Sequence, residues 1–96
     1  MPDSAVTRYV FTDHARFEMN RRGISEELAH SVLRAAEQTV EVRPGRIVLQ
    51  SKTTMQISGL EYLVRVFVDV DRDPAEVVTV YRTSKIEKYW RRNRES

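Results

Sequence analysis

The feature that most constrains the fold is a change in hydrophobic periodicity near Thr39. Before this point apolar residues recur at helical spacing, whereas after it they alternate with polar residues, as strands require. A chain of 96 residues holds only one small core, so the helical and stranded parts must share it. The helical stripe consists of Leu28, Ala29, Val32, Leu33 and Ala36.

Polar residues and one glycine mark the ends of the first two helices. Thr12 or Asp13 can cap the first helix, because each side chain accepts a hydrogen bond from a free backbone N–H. That helix is predicted to end at Arg22, since Gly23 adopts a left-handed conformation at little cost. Ser25 is then predicted to cap the second helix.

Period-two alternation and turn residues predict the strands. Residues 39–43 and 46–50 flank a turn at Pro44-Gly45, and residues 60–71 and 76–83 flank a turn at Asp73-Pro74. Residues 52–59 fit an edge strand and a loop equally well.

The last helix is predicted from a capping box at Ser84-Lys85-Ile86-Glu87, with Ile86, Tyr89 and Trp90 on its buried side. The predicted fold class is therefore α+β: two N-terminal helices, a three- or four-stranded antiparallel sheet and a C-terminal helix. Segregated elements of this kind predict helices on one face of the sheet and an open second face.

Apolar matching assigns the strand residues to the two faces. Val78 and Val80 are assigned to the core with the valines of 64–68, which leaves Val77 as an exception. The side chains predicted for the open face are Arg65, Phe67, Thr79, Tyr81 and Thr83.

Composition excludes several classes of function. The chain has no cysteine, only two histidines sixteen positions apart and only three glycines. Thiol chemistry, a zinc site and a glycine-rich phosphate loop are therefore not expected, and no cofactor is predicted. No apolar run approaches the ~20 residues of a membrane span, and no secretory leader is apparent, so we expect a cytoplasmic protein without a membrane partner.

The charge pattern favours a polyanionic partner. Arginine supplies thirteen of the 16 basic residues, and its planar guanidinium suits bidentate contact with phosphate or carboxylate. Residues 82–94 carry six basic groups and one acid, whereas residues 69–76 carry four acids and one base. A solvated helix face beside an acidic turn is the alternative interpretation.

Three short motifs resemble the DUF4258 family. They are Thr12-Asp13-His14-Ala15-Arg16 followed by Met19 and Arg22-Gly23-Ile24-Ser25, then Val64-Arg65-Val66, then Val77-Val78-Thr79-Val80-Tyr81. The resemblance implies a fold of the barnase–EndoU–colicin–RelE type. It also implies a toxin of a bacterial toxin–antitoxin pair that cleaves RNA, associated with the ribosome or free, and is held inactive by a cognate antitoxin. Glu18 departs from the pattern, because the family carries a basic residue there.

Metal-free RNA cleavage needs a base for the 2′-hydroxyl, a cation at the phosphorane and a donor for the leaving oxygen. We expect His14 to supply the base, since the helix N-terminus favours the neutral imidazole. Arg65 is expected to hold phosphate, and Tyr81 to stack a base or donate a proton. His14, Arg65 and Tyr81 are the predicted catalytic set, provided that they meet in one hollow.

The residues predicted to contact RNA around this set are Arg16, Arg21, Arg22, Thr79 and Arg82. Arg82 should face away from Tyr81 unless a bulge re-aims it. A plain structural role is open for each of them: Arg21 and Arg22 can offset the helix dipole, Arg16 can pair with acids, and Tyr81 can pack across strands. His30 is predicted to lie on the outer, solvated side of the second helix.

Two functions remain after these exclusions. One is a metal-independent ribonuclease toxin, and the other is a non-enzymatic binding module that blocks a protein or nucleic acid through its arginine-rich face.

Overall fold

The computed structural model describes residues 6–92, so the first five residues and Arg94 of the basic C-terminal stretch lie outside the described residues. The sheet has five strands in the order β1-β5-β4-β3-β2. The elements are β1 (Tyr9–Phe11), α1 (Asp13–Arg22), α2 (Glu26–Ala35), β2 (Gln38–Arg43), β3 (Arg46–Thr54), β4 (Glu61–Asp69), β5 (Ala75–Thr83) and α3 (Ile86–Tyr89). The α+β class is confirmed, with more strands than predicted.

The first two helices begin where their caps predict, and α1 ends where Gly23 predicts. The Thr12 hydroxyl accepts a hydrogen bond from the Ala15 N–H and donates one to the Val77 carbonyl, which ties the start of α1 to β5. Gly23 ends α1 with a φ of 70°, in the left-handed region that favours glycine. The Ser25 hydroxyl caps α2 by accepting from the Leu28 N–H.

Four strands, β2 to β5, form a continuous antiparallel meander. The turn at Pro44-Gly45 joins β2 to β3 as predicted. The ambiguous segment 52–59 divides: residues 52–54 extend β3, and a turn follows in which the Met55 N–H donates to the Leu60 carbonyl. Val42 lies within the irregular register of the outer strand β2.

The fifth strand, β1, was not predicted, and it pairs with β5 in parallel. Three residues are too few to show a periodicity. This strand also corrects the position of His30, which is half-buried against β1 and not solvated. Its Nδ1 shares a hydrogen bond with the Tyr9 hydroxyl, and its ring packs edge-on against Phe11.

A bulge in β5 corrects the predicted face assignment. Phe67 pairs with Thr79 and Val68 pairs with Val77, so Val78 has no partner on β4. Val77 is therefore fully buried, whereas Val78 is only half-buried. The assignment of Val78 to the core and of Val77 to the open face is therefore wrong, because strict alternation has no place for the extra residue of a bulge.

The helices lie on both faces of the sheet. This corrects the prediction that all helices pack on one face and leave the other open. One face packs α1 and α2 on the core, which includes Ala15, Met19, Leu33, Val66 and Val80. The short α3 lies against the other face. There Val48 and Leu63 are buried, although they belong to no part of that core.

The predicted capping box of α3 does not form. Lys85 occupies the N-cap position and makes no side-chain capping hydrogen bond. The helix has only four residues, and Ile86, Tyr89 and Trp90 are half-buried. Tertiary contacts with the sheet hold this segment in place, because so short a helix has little stability of its own.

Candidate functional site

Arg65 lies at the centre of the second sheet face, in the middle of the central strand β4. Its neighbours across the sheet are Gln50 on β3 and Tyr81 on β5. The Arg65 Nε donates to the Gln50 Oε1 at 2.8 Å, and Nη1 donates to the Tyr81 hydroxyl at 2.8 Å. A guanidinium held at two of its nitrogens has a fixed direction, and Nη2 makes no hydrogen bond with the described residues.

Three aromatic rings surround the Arg65 guanidinium. Its central carbon lies 4.2 Å from the ring centre of Tyr89, 5.3 Å from that of Phe67 and 5.8 Å from that of Tyr81. Phe67 and Tyr81 also stack on each other, with their ring centres 6.0 Å apart. Attraction between a cation and the ring faces stabilises this arrangement. We call Gln50, Arg65, Phe67, Tyr81 and Tyr89 the Arg65 cluster.

Two glutamines attach the C-terminal segment to the cluster. Gln50 is fully buried, and its Nε2 donates to the Gln38 Oε1 and to the Tyr89 carbonyl. The Gln38 side chain in turn accepts from the Arg91 N–H and donates to the Arg91 carbonyl. Every buried side-chain nitrogen and oxygen in residues 6–92 has a partner. The cluster is therefore preorganised.

The surroundings of Tyr89 change its acidity. Desolvation alone raises the pKa of its phenol, but the charge of Lys88, hydrogen bonding with Tyr81 and Lys88, and the charge of Arg65 outweigh it. The net effect places the pKa of Tyr89 below its ordinary value of 10. The ring centres of Tyr89 and Tyr81 lie 6.5 Å apart, so two phenols lie beside the Arg65 guanidinium.

The predicted catalytic residues do not all meet. Arg65 and Tyr81 are hydrogen-bonded to each other, and Thr79 shares their face, as expected. His14 is exposed on α1, which packs against the opposite face of the sheet through Ala15 and Met19. The arrangement therefore separates His14 from Arg65, and the convergence expected from the sequence is wrong.

The predicted RNA-contacting arginines are engaged on the helical face. Arg16 pairs with Glu26, and both Arg21 and Arg22 pair with Glu18. Glu18 is largely buried; the hydrogen bond from Arg21 outweighs its desolvation and lowers its pKa below the ordinary value of 4.5. The residue that departs from the family pattern thus neutralises two neighbouring arginines.

Two of the predicted RNA-contacting arginines, Arg22 and Arg82, donate hydrogen bonds to backbone carbonyls. Arg22 also donates to the Val80 carbonyl at 3.0 Å. Arg82 faces the helical side, opposite Val64, and its Nη1 reaches the Gly23 carbonyl at 3.4 Å. Arg82 therefore does not join Tyr81, because the bulge at Val78 precedes both residues and leaves them on opposite faces.

The second face keeps its positive charge. Among residues 6–92, Lys52, Arg65, Lys85 and Lys88 form no ion pair with a carboxylate, whereas the arginines of α1 all do. Gln50 and Tyr89 are the cluster members missed from the sequence. A polar glutamine after the apolar run Ile47 to Leu49 was the available signal for the first, and nothing local marked the second.

No group of three His, Cys, Asp or Glu side chains in residues 6–92 is placed to hold a metal ion. Within the same residues, every helix is too short or too polar to cross a bilayer.

The fold and the cluster define a small α+β domain with a basic, aromatic sheet face. A family model described as "Domain of unknown function (DUF4258)" matches residues 11–82, about three quarters of the chain. The chain belongs to the DUF4258 family. Comparisons with curated proteins and with solved structures gave no match.

Proposed function

We propose that this protein is a metal-independent ribonuclease, the toxin of a bacterial toxin–antitoxin pair, with the Arg65 cluster as its active site. The observation that carries the proposal is the fixed Arg65 guanidinium beside two phenols on one sheet face, with an Nη2 that makes no hydrogen bond to any of residues 6–92. The family membership and the resemblance to toxins of the RelE type support the same function. We also propose that the fold is of the RelE type.

The proposed reaction transfers a phosphoryl group from the 5′-oxygen to the 2′-oxygen within RNA. The 2′-oxygen attacks the adjacent phosphorus, the new O2′–P bond forms and the P–O5′ bond breaks. The products are a 2′,3′-cyclic phosphate and a 5′-hydroxyl. Arg65 stabilises the charge that develops on the phosphorane oxygens, because its donors are already oriented before the substrate binds.

The two tyrosines take the proton roles, with Tyr89 in the place of the His14 base expected from the sequence. Tyr89, as phenolate, accepts the proton of the 2′-hydroxyl, and the Tyr81 phenol donates its proton to the departing 5′-oxygen. Arg65 then stabilises the Tyr81 phenolate through the hydrogen bond that it already makes. The lowered pKa of Tyr89 increases the reactive fraction near neutral pH.

A non-enzymatic binding module is the second candidate, and two observations favour it. No imidazole lies in the Arg65 cluster, and two of the three guanidinium nitrogens are already bonded to Gln50 and Tyr81. Under this alternative the same face would hold RNA or a protein target without cutting it.

The direct test is incubation of the purified chain with end-labelled RNA in EDTA. The ribonuclease proposal requires cleavage that ends in 2′,3′-cyclic phosphate and falls by about 100-fold or more in Tyr89→Phe, since general acid–base catalysis contributes about 10²–10⁴-fold. Arg65→Lys should also reduce cleavage, because one ammonium cannot keep the hydrogen bonds to Gln50 and Tyr81 and still present an oriented donor to the phosphate.

The control variant is His14→Ala, which removes the exposed imidazole on the opposite face. It should leave cleavage unchanged. Loss of cleavage in His14→Ala with full activity in Tyr89→Phe would place the reaction on the helical face and refute the proposed site. Salt-sensitive RNA binding without cleavage by the parent chain would support the binding module.

The toxin assignment has its own test in cells. Expression of this chain alone should arrest bacterial growth, and coexpression of the adjacent gene product, the proposed antitoxin, should restore it. Tyr89→Phe provides the matched control and should be tolerated. Unimpaired growth with good yield of the parent chain would contradict a cytoplasmic toxin acting on RNA.

A further inference from the structure

A recess lies beside α3, next to the Arg65 cluster. It is a cleft of about 770 Å³ whose lining includes Lys52 of β3, Glu61 of β4 and Trp90. Its volume falls in the range of about 300–1,000 Å³ that binds small molecules, so it can accept a nucleotide. Lys88 connects the two places, because its ammonium lies 5.4 Å from the ring centre of Tyr89 and also lines the cleft.

The side chain of Trp90 is the aromatic surface of this cleft. The hydrogen bonds of Gln50 to Tyr89 and of Gln38 to Arg91 hold the backbone on both sides of it. The ammonium of Lys52 lies 4.1 Å from the indole ring centre. The ring is therefore held in a half-buried position where it lines the cleft, with the Lys52 ammonium at one of its faces.

The charge of the cleft is mainly positive. Four cations line it, and the two acids are Glu61 and Glu87. The Arg92 Nη2 lies 3.9 Å from the Glu87 Oε1, but the two side chains are 79% and 87% exposed, and an ion pair of this kind contributes little. The four cations are Lys52, Lys85, Lys88 and Arg92.

We infer that this cleft binds the base and phosphate of a single-stranded RNA nucleotide next to the one held by Arg65. The base stacks on Trp90, and Lys52 and Lys85 contact the phosphate. Cations interleaved with an aromatic platform are the usual means of binding single strands, because every unpaired base offers a ring face. The choice of RNA as the ligand rests on the proposed function.

The probe is an end-labelled oligouridylate with 2′-O-methyl sugars, which cannot be cleaved because its 2′-oxygens are blocked. Trp90 is the sole tryptophan, so its fluorescence reports the cleft alone. Saturable quenching by the probe is expected, while inorganic polyphosphate should bind without the same quenching. Absence of quenching by a bound oligouridylate would overturn the inference.

Two variants measure the parts of the site separately by fluorescence anisotropy of the labelled probe. Trp90→Leu should weaken binding by about 5- to 100-fold, as loss of one stacked base does. Lys85→Ala should lower the slope of log K against log salt by about 0.7, as loss of one phosphate contact does. Lys85 is exposed and its side chain makes no hydrogen bond in the described residues, so this variant should fold normally.

The matched control is Arg34→Ala, which removes one exposed positive charge from α2 on the opposite face. It should leave the affinity and salt slope unchanged, and an equal effect in Arg34→Ala and Lys85→Ala would refute a local site. RNA cleavage with an unaltered KM in Lys85→Ala and Trp90→Leu would overturn this inference and leave the proposed function intact. Stacking of a base on Trp90 by a chain that never cleaves RNA would support this inference and contradict the proposed function.

Discussion

The hydrogen bond between Arg65 and Gln50 makes a quantitative prediction about stability. Arg65→Met keeps much of the aliphatic stem but removes the donor to the Gln50 Oε1, which lies on a residue with 0% exposure. An unsatisfied buried acceptor costs about 1–3 kcal/mol, and the lost cation–ring contacts add about 0.5–1 kcal/mol. We therefore expect the free energy of unfolding to fall by about 1.5–4 kcal/mol.

The double variant separates this cause from general loss of packing. Gln50→Leu with Arg65→Met removes the donor and the acceptor of this hydrogen bond together. The Gln50 donations to Gln38 and to the Tyr89 carbonyl are lost equally in Gln50→Leu and in the double variant, so they cancel in the comparison. Its destabilisation should be smaller than the sum of the two single effects by about 1–2 kcal/mol. The control pair combines Gln50→Leu with Ser25→Ala, which lies on the opposite face, and should be additive within about 0.5 kcal/mol.

Urea unfolding followed by far-ultraviolet circular dichroism measures these free energies. Trp90 fluorescence serves as a second probe, because it reports the C-terminal segment that Gln50 attaches to the sheet. Coincident transitions by the two probes establish two-state unfolding. Additive effects for the Gln50–Arg65 pair would refute the reasoning that a buried, unsatisfied amide causes the loss.

Three further predictions concern the frame that supports the site. Leu33→Ala should lower the free energy of unfolding in urea by about 2–5 kcal/mol, because Leu33 is fully buried and alanine leaves a cavity. Thr12→Val should cost about 1–2 kcal/mol by removing the cap of α1 and the bond to Val77, and Thr12→Ser should retain most of this stability. The hydrogen bond from Arg46 outweighs desolvation and lowers the pKa of Asp69 below its ordinary value of 3.8, so the pair stabilises the fold above that pH and ceases to do so as the pH falls through the lowered pKa. Stability measured by urea titration should therefore decrease in this acid window in the parent chain and less steeply in Asp69→Asn.

The fold was predictable wherever the signal is local. The Thr12 and Ser25 caps and the Gly23 terminus define the first two helices, and their positions agree with the structure. The alternation within β4 also places Arg65 on the face opposite its valine neighbours, as predicted. Each of these features depends on residues within one turn or one strand.

The candidate site was predictable only in part. Arg65 and Tyr81 are distant in sequence, yet their alternation patterns place them on one face, and the structure joins them by a hydrogen bond. The expected partner His14 belongs to a helix whose apolar stripe binds it to the other face. The helix periodicity shows which side of α1 is apolar. It does not show on which face of the sheet α1 packs, and this face decides whether His14 lies near Arg65.

The sequence by itself determined the N-terminal caps of α1 and α2, the order of the helices and strands that follow β1, and the excess of arginine, because propensity, periodicity and charge act over a few residues. Only the tertiary structure decided that β1 joins β5, that Val77 replaces Val78 in the core, and that α3 lies across Gln50. These outcomes depend on long-range pairing, in which distant segments compete to bury apolar area and satisfy buried polar groups. The Arg65 cluster is the result of that competition.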